Sequence, residues 1–268
     1  MNKHPLHSIE RSELRVLPVR PGRMTYQLHV GLPPSYAHGT GQTYPVVYVT
    51  DGYWSFPMIA KMRDLLFFDQ TVPEFIVVGL GYAGDNLDFE KLRWNELSPV
   101  PFKDAPESTG RAAEFLHTIE REVIPFIEHE YRVDSSFRVL AGSSLGGLFT
   151  LFTMYTSPQL FHAYIAATPA VTEGDNWIFK LEEEFARNGR SIKGSLFLSV
   201  GGEEYAVQLG AVRRFHERII SRQYRALLCE LRIIENMGHC GGIFEAYVRG
   251  LSYVFRPLTQ VIKQATLN

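Results

Sequence analysis

Residues 137–148 read Phe-Arg-Val-Leu-Ala-Gly-Ser-Ser-Leu-Gly-Gly-Leu. The run Phe137–Ala141 lacks polar alternation, as a strand covered on both faces should, and Leu148–Tyr155 has the length and apolarity of a buried helix. Between them, Gly142-Ser143-Ser144-Leu145-Gly146 fits the pattern G-x-S-x-G. The pattern has chemical meaning only at a strand-to-helix turn, and this one has that context. The chain must reverse within a few residues, so side chains at positions 142 and 146 would collide with the neighbouring strand or helix. The register makes Ser144 the central residue, with Ser143 as the competing serine. The turn lifts the Ser144 hydroxyl clear of the backbone. It also leaves the Leu145 amide at a helix N-terminus, where an unpaired N–H and the helix dipole favour a developing oxyanion.

Working outward, short apolar runs alternate with helical patterns. Strands are expected at Pro45–Thr50, Phe75–Leu80, Ala163–Ala167, Ser195–Val200 and Leu228–Ile234. Ahead of them, Glu13–Val19 and Met24–Leu32 read as paired strands joined by a Pro21-Gly22 turn. A helical pattern follows Thr109, with apolar residues at Ala112, Phe115, Leu116, Ile119, Val123, Phe126 and Ile127; Pro125 should bend it or open a new turn. Other helices are expected after Ser55, Ser144, Asn176, Ala206 and Gly242. The alternation predicts an α/β fold: a mostly parallel sheet with an antiparallel N-terminal hairpin and helices on both faces. Functional groups then gather beyond the carboxyl ends of the strands. No repeat or linker divides the chain, so residues 1–268 are read as one domain with residues 1–10 as a flexible tail.

A serine hydroxyl needs a base, and the base needs an orienting acid. Chains with this elbow place them in the order serine, acid, histidine. Nine histidines are available. His4 and His7 lie in the tail, and His29, His38, His117 and His129 precede the serine. His162 follows too closely, and His216 sits in a charged helical pattern. His239 remains, in the loop after Leu228–Ile234, where a base must hang to reach Ser144. The acid should follow Ser195–Val200, where the chain reads Gly201-Gly202-Glu203-Glu204-Tyr205. Neighbouring side chains diverge, so only one carboxylate turns inward; Glu204 is preferred and Glu203 is the runner-up. A second oxyanion donor is expected from Thr50-Asp51-Gly52-Tyr53-Trp54, as the Tyr53 amide, with Asp51 bracing that loop.

Composition narrows the function further. Hydrophobic residues at 45% and charged residues at 21% exclude a disordered chain. A formal net charge of −2 gives no electrostatic reason to expect a nucleic-acid or membrane partner. Two cysteines, Cys229 and Cys240, are too few for a disulfide scaffold or a four-ligand zinc site. No metal or organic cofactor is expected. With no signal-like apolar run at the start, the chain reads as cytoplasmic. The expected partner is a small-molecule ester, and oligomeric state is not readable.

These residues resemble the esterase D / putative-esterase family of α/β-hydrolases, in its siderophore-esterase-like branch. The resemblance rests on Val47-Tyr48-Val49-Thr50-Asp51-Gly52, Arg93-Trp-Asn-Glu-Leu-Ser-Pro99, Val123-Ile-Pro-Phe-Ile-Glu-His-Glu-Tyr131, Ala141-Gly-Ser-Ser-Leu-Gly-Gly147, Gly238-His239 and Gly250-Leu-Ser-Tyr-Val-Phe255. It covers residues 10–257 and implies Ser144 as nucleophile, His239 as base, and the Leu145 and Tyr53 amides as oxyanion donors. Some members work with a Ser–His dyad, so Glu204 need not be essential. The family places the 93–99 segment beside its site, so Arg93 is read two ways: as a substrate contact, or as a structural ion-pair partner. Trp54 and Trp94 are the aromatic candidates for substrate contact. Residues 82–108 hold no large insertion, which implies little lid. The expected activity is a serine esterase acting on siderophore-type, aryl or feruloyl, or small acyl esters. The alternatives are an acyltransferase of the same fold or a catalytically silent binding scaffold.

Overall fold

The computed structural model describes residues 8–18, 24–38, 41–103, 105 and 108–260. Its centre is an eight-stranded sheet. The strands are β1 (Ser12–Val16), β2 (Tyr26–Gly31), β3 (Tyr44–Val49), β4 (Ile76–Tyr82), β5 (Val133–Ser143), β6 (Ala163–Ala167), β7 (Lys193–Gly201) and β8 (Ala226–Ile234). They lie in the order β1-β2-β4-β3-β5-β6-β7-β8. β1 and β2 pair antiparallel, and so do β2 and β4; every other neighbouring pair is parallel. The expected Pro21-Gly22 turn lies outside the described residues, as does most of the expected 1–10 tail.

Every residue of β3, β4 and β6 is buried, which is why their sequences read as unbroken apolar runs. Successive side chains still alternate between faces. Val46 and Tyr48 enter one core, while Val47 and Val49 enter the other. The second core is closed by α1 (Gly52–Phe68) and α8 (Ile243–Val254). The first is covered by α2 (Phe89–Leu97), α3 (Ala112–Thr118), α4 (Ile124–Glu130), α5 (Leu145–Thr156), α6 (Glu173–Arg187) and α7 (Ala206–Arg222). Helices thus pack on both faces, and the carboxyl ends of the parallel strands share one edge.

Among the helices, the structure departs from the sequence pattern in three places. α1 begins at Gly52 rather than after Ser55, because the Asp51 carbonyl already accepts from the Trp54 and Ser55 amides. The helix after Thr109 changes pitch rather than simply bending: a π-type turn, Ile119–Val123, links α3 to α4 just before Pro125. Proline offers no N–H to the preceding turn and crowds its carbonyl, and the wider turn relieves the mismatch. Helix α2 is the element the pattern did not mark. Asp88 caps it by accepting from the Lys91 amide at 3.1 Å. Its buried positions are Arg93, Glu96 and Leu97, so its inner face carries charge where an apolar stripe is normally sought. α6 opens with left-handed residues at Gly174–Asn176 and becomes regular after Asn176, where the sequence places its start. Among the described residues, no helix is long and apolar enough to cross a membrane.

Candidate active site

Ser144 stands between the end of β5 and the first residue of α5 with φ 55° and ψ −118°. Backbone in this region costs on the order of 1–3 kcal/mol and persists only where its surroundings impose it. Here the Ser144 amide donates to the Ala167 carbonyl at 3.0 Å, and its carbonyl accepts from the Leu148 and Ala170 amides, each at 3.0 Å. A Cβ on Gly142 would overlap the Gly146 carbonyl, and one on Gly146 would overlap Thr50 Oγ1. The glycines therefore answer to steric need on both sides of the serine. Ser143 is buried inside the sheet at 4% exposure, whereas Ser144 is half-buried. Leu145, as the first residue of α5, has an amide with no intrahelical carbonyl to bond.

Beyond β7 and β8 two loops are stitched together. The Gly202 amide donates to the Ile234 carbonyl at 2.7 Å, and the Glu203 amide donates to the Met237 carbonyl at 2.9 Å. This brings Glu204 Oε2 to 2.6 Å from His239 Nδ1. Glu204 is buried and Glu203 is exposed. Thr168, at the end of β6, donates its hydroxyl to Glu204 Oε2 at 2.9 Å, and the Tyr205 amide donates to Oε1 at 3.0 Å. Burial alone would raise the Glu204 carboxyl; the bonds from His239, the Tyr205 amide and Thr168 outweigh it and hold the group below the ordinary carboxylate range. A carboxylate only accepts, so Nδ1 carries the ring proton and the lone pair of a neutral His239 lies on Nε2.

The opposite side is built differently. Asp51 precedes α1 with φ 53° and ψ 52°, and it is buried. Arg93 Nε donates to Asp51 Oδ1 at 2.9 Å, and an Nη donates to Oδ2 at 3.2 Å. Arg93 is itself 8% exposed, and its guanidinium carbon lies 5.4 Å from the centre of the Trp54 ring. Burial raises the Asp51 carboxyl, opposed by the bonds from Arg93. The Tyr53 ring packs between Trp54 (4.5 Å) and Phe89 (4.7 Å), and Trp54 and Phe89 are both exposed. Tyr53 is the second residue of α1, so no helical carbonyl stands four residues before its amide. Trp94 is half-buried against the core, with its ring edge-on to Phe102 at 6.4 Å.

One helical turn from Arg93, Glu96 is 5% exposed and accepts from the Tyr26 hydroxyl at 2.7 Å. Burial raises its carboxyl to about 7. A cavity of about 510 Å³ opens beside it, lined by Tyr26, Asn95, Arg111 and His117 among others; none of the residues expected at the site lines it. Among the described residues, no three His, Cys, Asp or Glu side chains converge as a metal site.

Sequence reasoning missed Thr168, Glu96 and the pairing of Arg93 with Asp51, although it had Asp51 as the brace of its loop and an ion-pair partner as one of two readings of Arg93. No motif marks Thr168. The other two carried a signal: Arg93 and Glu96 are one helical turn apart, the spacing of one helix face.

The family model described as "Putative esterase" matches residues 22–195. The ferri-bacillibactin esterase BesA of Bacillus subtilis (strain 168) is 25% identical over 272 residues, covering 93% of this chain and 91% of that protein. The siderophore enterobactin esterase of Emericella nidulans is 30% identical over 162 residues, 54% of each chain. The crystal structure of the BES protein from Bacillus cereus superposes with a TM-score of 0.84 at 24% identity, over 95% of this chain and 99% of that one. The shared architecture is the α/β-hydrolase fold.

Proposed function

The chain belongs to the esterase family and is a carboxylic ester hydrolase, and from that premise we propose that Ser144 is its nucleophile, His239 its general base and Glu204 the acid that orients His239. The observation that carries the reading is the Glu204–His239 hydrogen bond, formed by the loops past β7 and β8. Those loops hang from the same edge of the sheet as the Ser144 elbow.

In the first step Ser144 Oγ attacks the ester carbonyl carbon while its proton passes to His239 Nε2. The carbonyl oxygen becomes an oxyanion and is held by the Leu145 and Tyr53 amides. His239 then protonates the departing alcohol oxygen as the tetrahedral adduct collapses to the acyl-enzyme. Water attacks that ester, gives its proton to His239, and the second collapse returns the proton to Ser144 Oγ and releases the acid. Glu204 keeps the proton on Nδ1 in both halves, so Nε2 always faces the chemistry.

For the substrate we propose an ester of the siderophore type. The likeness to BesA over nearly the whole chain supports this, and the exposed Trp54 and Phe89 supply flat apolar surface beside the proposed oxyanion loop. Aryl or feruloyl esters and small acyl esters are the competing substrates. The proposal takes residues 1–268 as one domain acting in the cytoplasm; the free thiols of Cys229 and Cys240 suit a reducing compartment. A chromogenic short-chain ester tests the chemistry. The wild type should turn it over, and Ser144→Ala should lose about 10⁴-fold or more in kcat. No turnover by the wild type, or full activity in Ser144→Ala, overturns the assignment. Ranking siderophore, feruloyl, acetyl-sugar and simple acyl esters by kcat/KM then decides the substrate class.

A further inference from the structure

Asp51 occupies the N-cap of α1, and aspartate there ordinarily turns its carboxylate onto the amides of the second or third helical residue. In α1 those residues are Tyr53 and Trp54. Asp51 makes no such bond. Its backbone is left-handed at φ 53°, whereas capping side chains come from extended backbone, so the carboxylate reaches an amide only as residue 51 leaves that conformation, which the ion pair with Arg93 opposes. Its two carboxylate oxygens are instead taken by Arg93, at 2.9 and 3.2 Å. The Trp54 amide is satisfied by the Asp51 carbonyl at 3.1 Å, which leaves the Tyr53 amide as the donor a released carboxylate would find.

Arg93 is fixed from several sides. It lies 8% exposed beneath the Trp54 ring, and an Nη stands 3.8 Å from a Glu90 carboxylate oxygen. Its helix is pinned one turn further on, where Glu96 meets Tyr26 on β2. A guanidinium suits this task because its planar fork engages two carboxylate oxygens at once, which an ammonium does not.

We propose that Arg93 is a positioning residue: by holding both oxygens of Asp51, it keeps that carboxylate off the Tyr53 amide and so keeps the second oxyanion donor free. The inference rests on the assignment of the Tyr53 amide as that donor. Without Arg93, the carboxylate has two ways to do harm. A carboxyl oxygen can occupy the donor, and wherever the pH ionises the group a negative charge stands beside the oxygen that becomes negative in the transition state.

The test compares Arg93→Gln, Arg93→Lys and the double variant Arg93→Gln/Asp51→Gly with wild type on a chromogenic acyl ester. Glycine is chosen at position 51 because it accepts the left-handed backbone without a carboxylate. Arg93→Gln should lose about 10- to 100-fold in kcat with KM changed by less than about threefold. Inhibition by phenylboronic acid, whose tetrahedral serine adduct puts an oxygen where the oxyanion forms, should weaken by the same factor. Arg93→Lys should fall between wild type and Arg93→Gln. Adding Asp51→Gly should restore most of the lost kcat, a rescue that a merely structural ion pair does not predict. Unchanged kcat in folded Arg93→Gln overturns the proposal. So does a rise in KM alone, which makes Arg93 a substrate contact, and so does a double variant as slow as the single one. If Arg93→Gln does not fold, the rescue is read between Arg93→Lys and Arg93→Lys/Asp51→Gly. Wild-type turnover and its loss in Ser144→Ala are measured alongside. Their failure overturns the esterase mechanism, whereas an unaffected Arg93→Gln beside an active wild type overturns only the role of Arg93.

Discussion

The two sides of the candidate site are held by different physics. On the elbow side, Ser144 is placed by backbone: three main-chain hydrogen bonds at that residue, and two glycines that no side chain can replace. On the α2 side, the start of α1 at Tyr53 is placed by buried polar side chains: the Asp51–Arg93 ion pair, with the Glu96–Tyr26 hydrogen bond one turn away. Steric placement tolerates almost no substitution but is indifferent to pH and salt. Placement by buried charge tolerates conservative change, yet each group depends on its partner, because one buried charge left alone is far costlier than a pair. The elbow should therefore respond to mutation in an all-or-none way, and the α2 side in a graded, partner-dependent way.

The largest effect is expected at His239, which in the proposed mechanism takes the proton from Ser144 and passes it on. His239→Ala should cost about 10⁴-fold or more in kcat, close to Ser144→Ala, and the Ser144→Ala/His239→Ala double variant should be scarcely worse than either single change. Additive losses, read from steady-state rates, would show that the two residues do not act as a unit.

The next largest effect discriminates between the adjacent carboxylates. Glu204→Ala should lose about 10²–10⁴-fold in kcat, because His239 is then free to carry its proton on the wrong nitrogen. Glu203→Ala should stay within about twofold of wild type. Equal rates in the two variants would establish a dyad. The pair also has a pH sign. Glu204 is held below its unfolded value by its hydrogen bonds, so its stabilisation is present above the unfolded value and is lost as pH falls through the folded one. Thermal scans at falling pH should show wild type losing stability on the acid side more steeply than Glu204→Gln.

The same contrast explains what could be read from the residues alone. The elbow was legible because its requirement is local: small residues at 142 and 146, an apolar strand before and an apolar helix after. His239 was legible by elimination once chain order was set. Divergence of neighbouring side chains says only that one of Glu203 and Glu204 turns inward, and the preference for Glu204 rests on its place three residues past Gly201; in the structure the turn after Gly201 buries Glu204 and exposes Glu203. Helix α2 was not legible as a helix, since its inner face is Arg93 and Glu96 and a search for apolar periodicity passes over it. A buried and an exposed arginine look alike in a sequence, so Arg93 admits both readings there. Thr168 was invisible for a similar reason: its hydroxyl meets Glu204 only through the adjacency of β6 and β7.

The smallest expected effect probes α2 directly. Glu96 is buried with its carboxyl raised to about 7, so the folded chain holds a proton there that an unfolded glutamate, near ~4.3, has released. Between those values the native state binds more protons than the unfolded state, so stability should fall as pH rises through the window and level off above about 7. Glu96→Gln keeps the shape and an acceptor for the Tyr26 hydroxyl but cannot ionise. Its melting temperature should match wild type near pH 5 and exceed it at pH 8, by about 2–4 °C for each kcal/mol recovered. The rate on a chromogenic ester should stay within about twofold, because Arg93 and Asp51 are untouched. Parallel melting curves across the range would mean that burial does not raise the Glu96 carboxyl. A large loss of kcat with unchanged stability would mean that the Glu96–Tyr26 bond, and not Arg93 alone, sets the position of the Tyr53 loop.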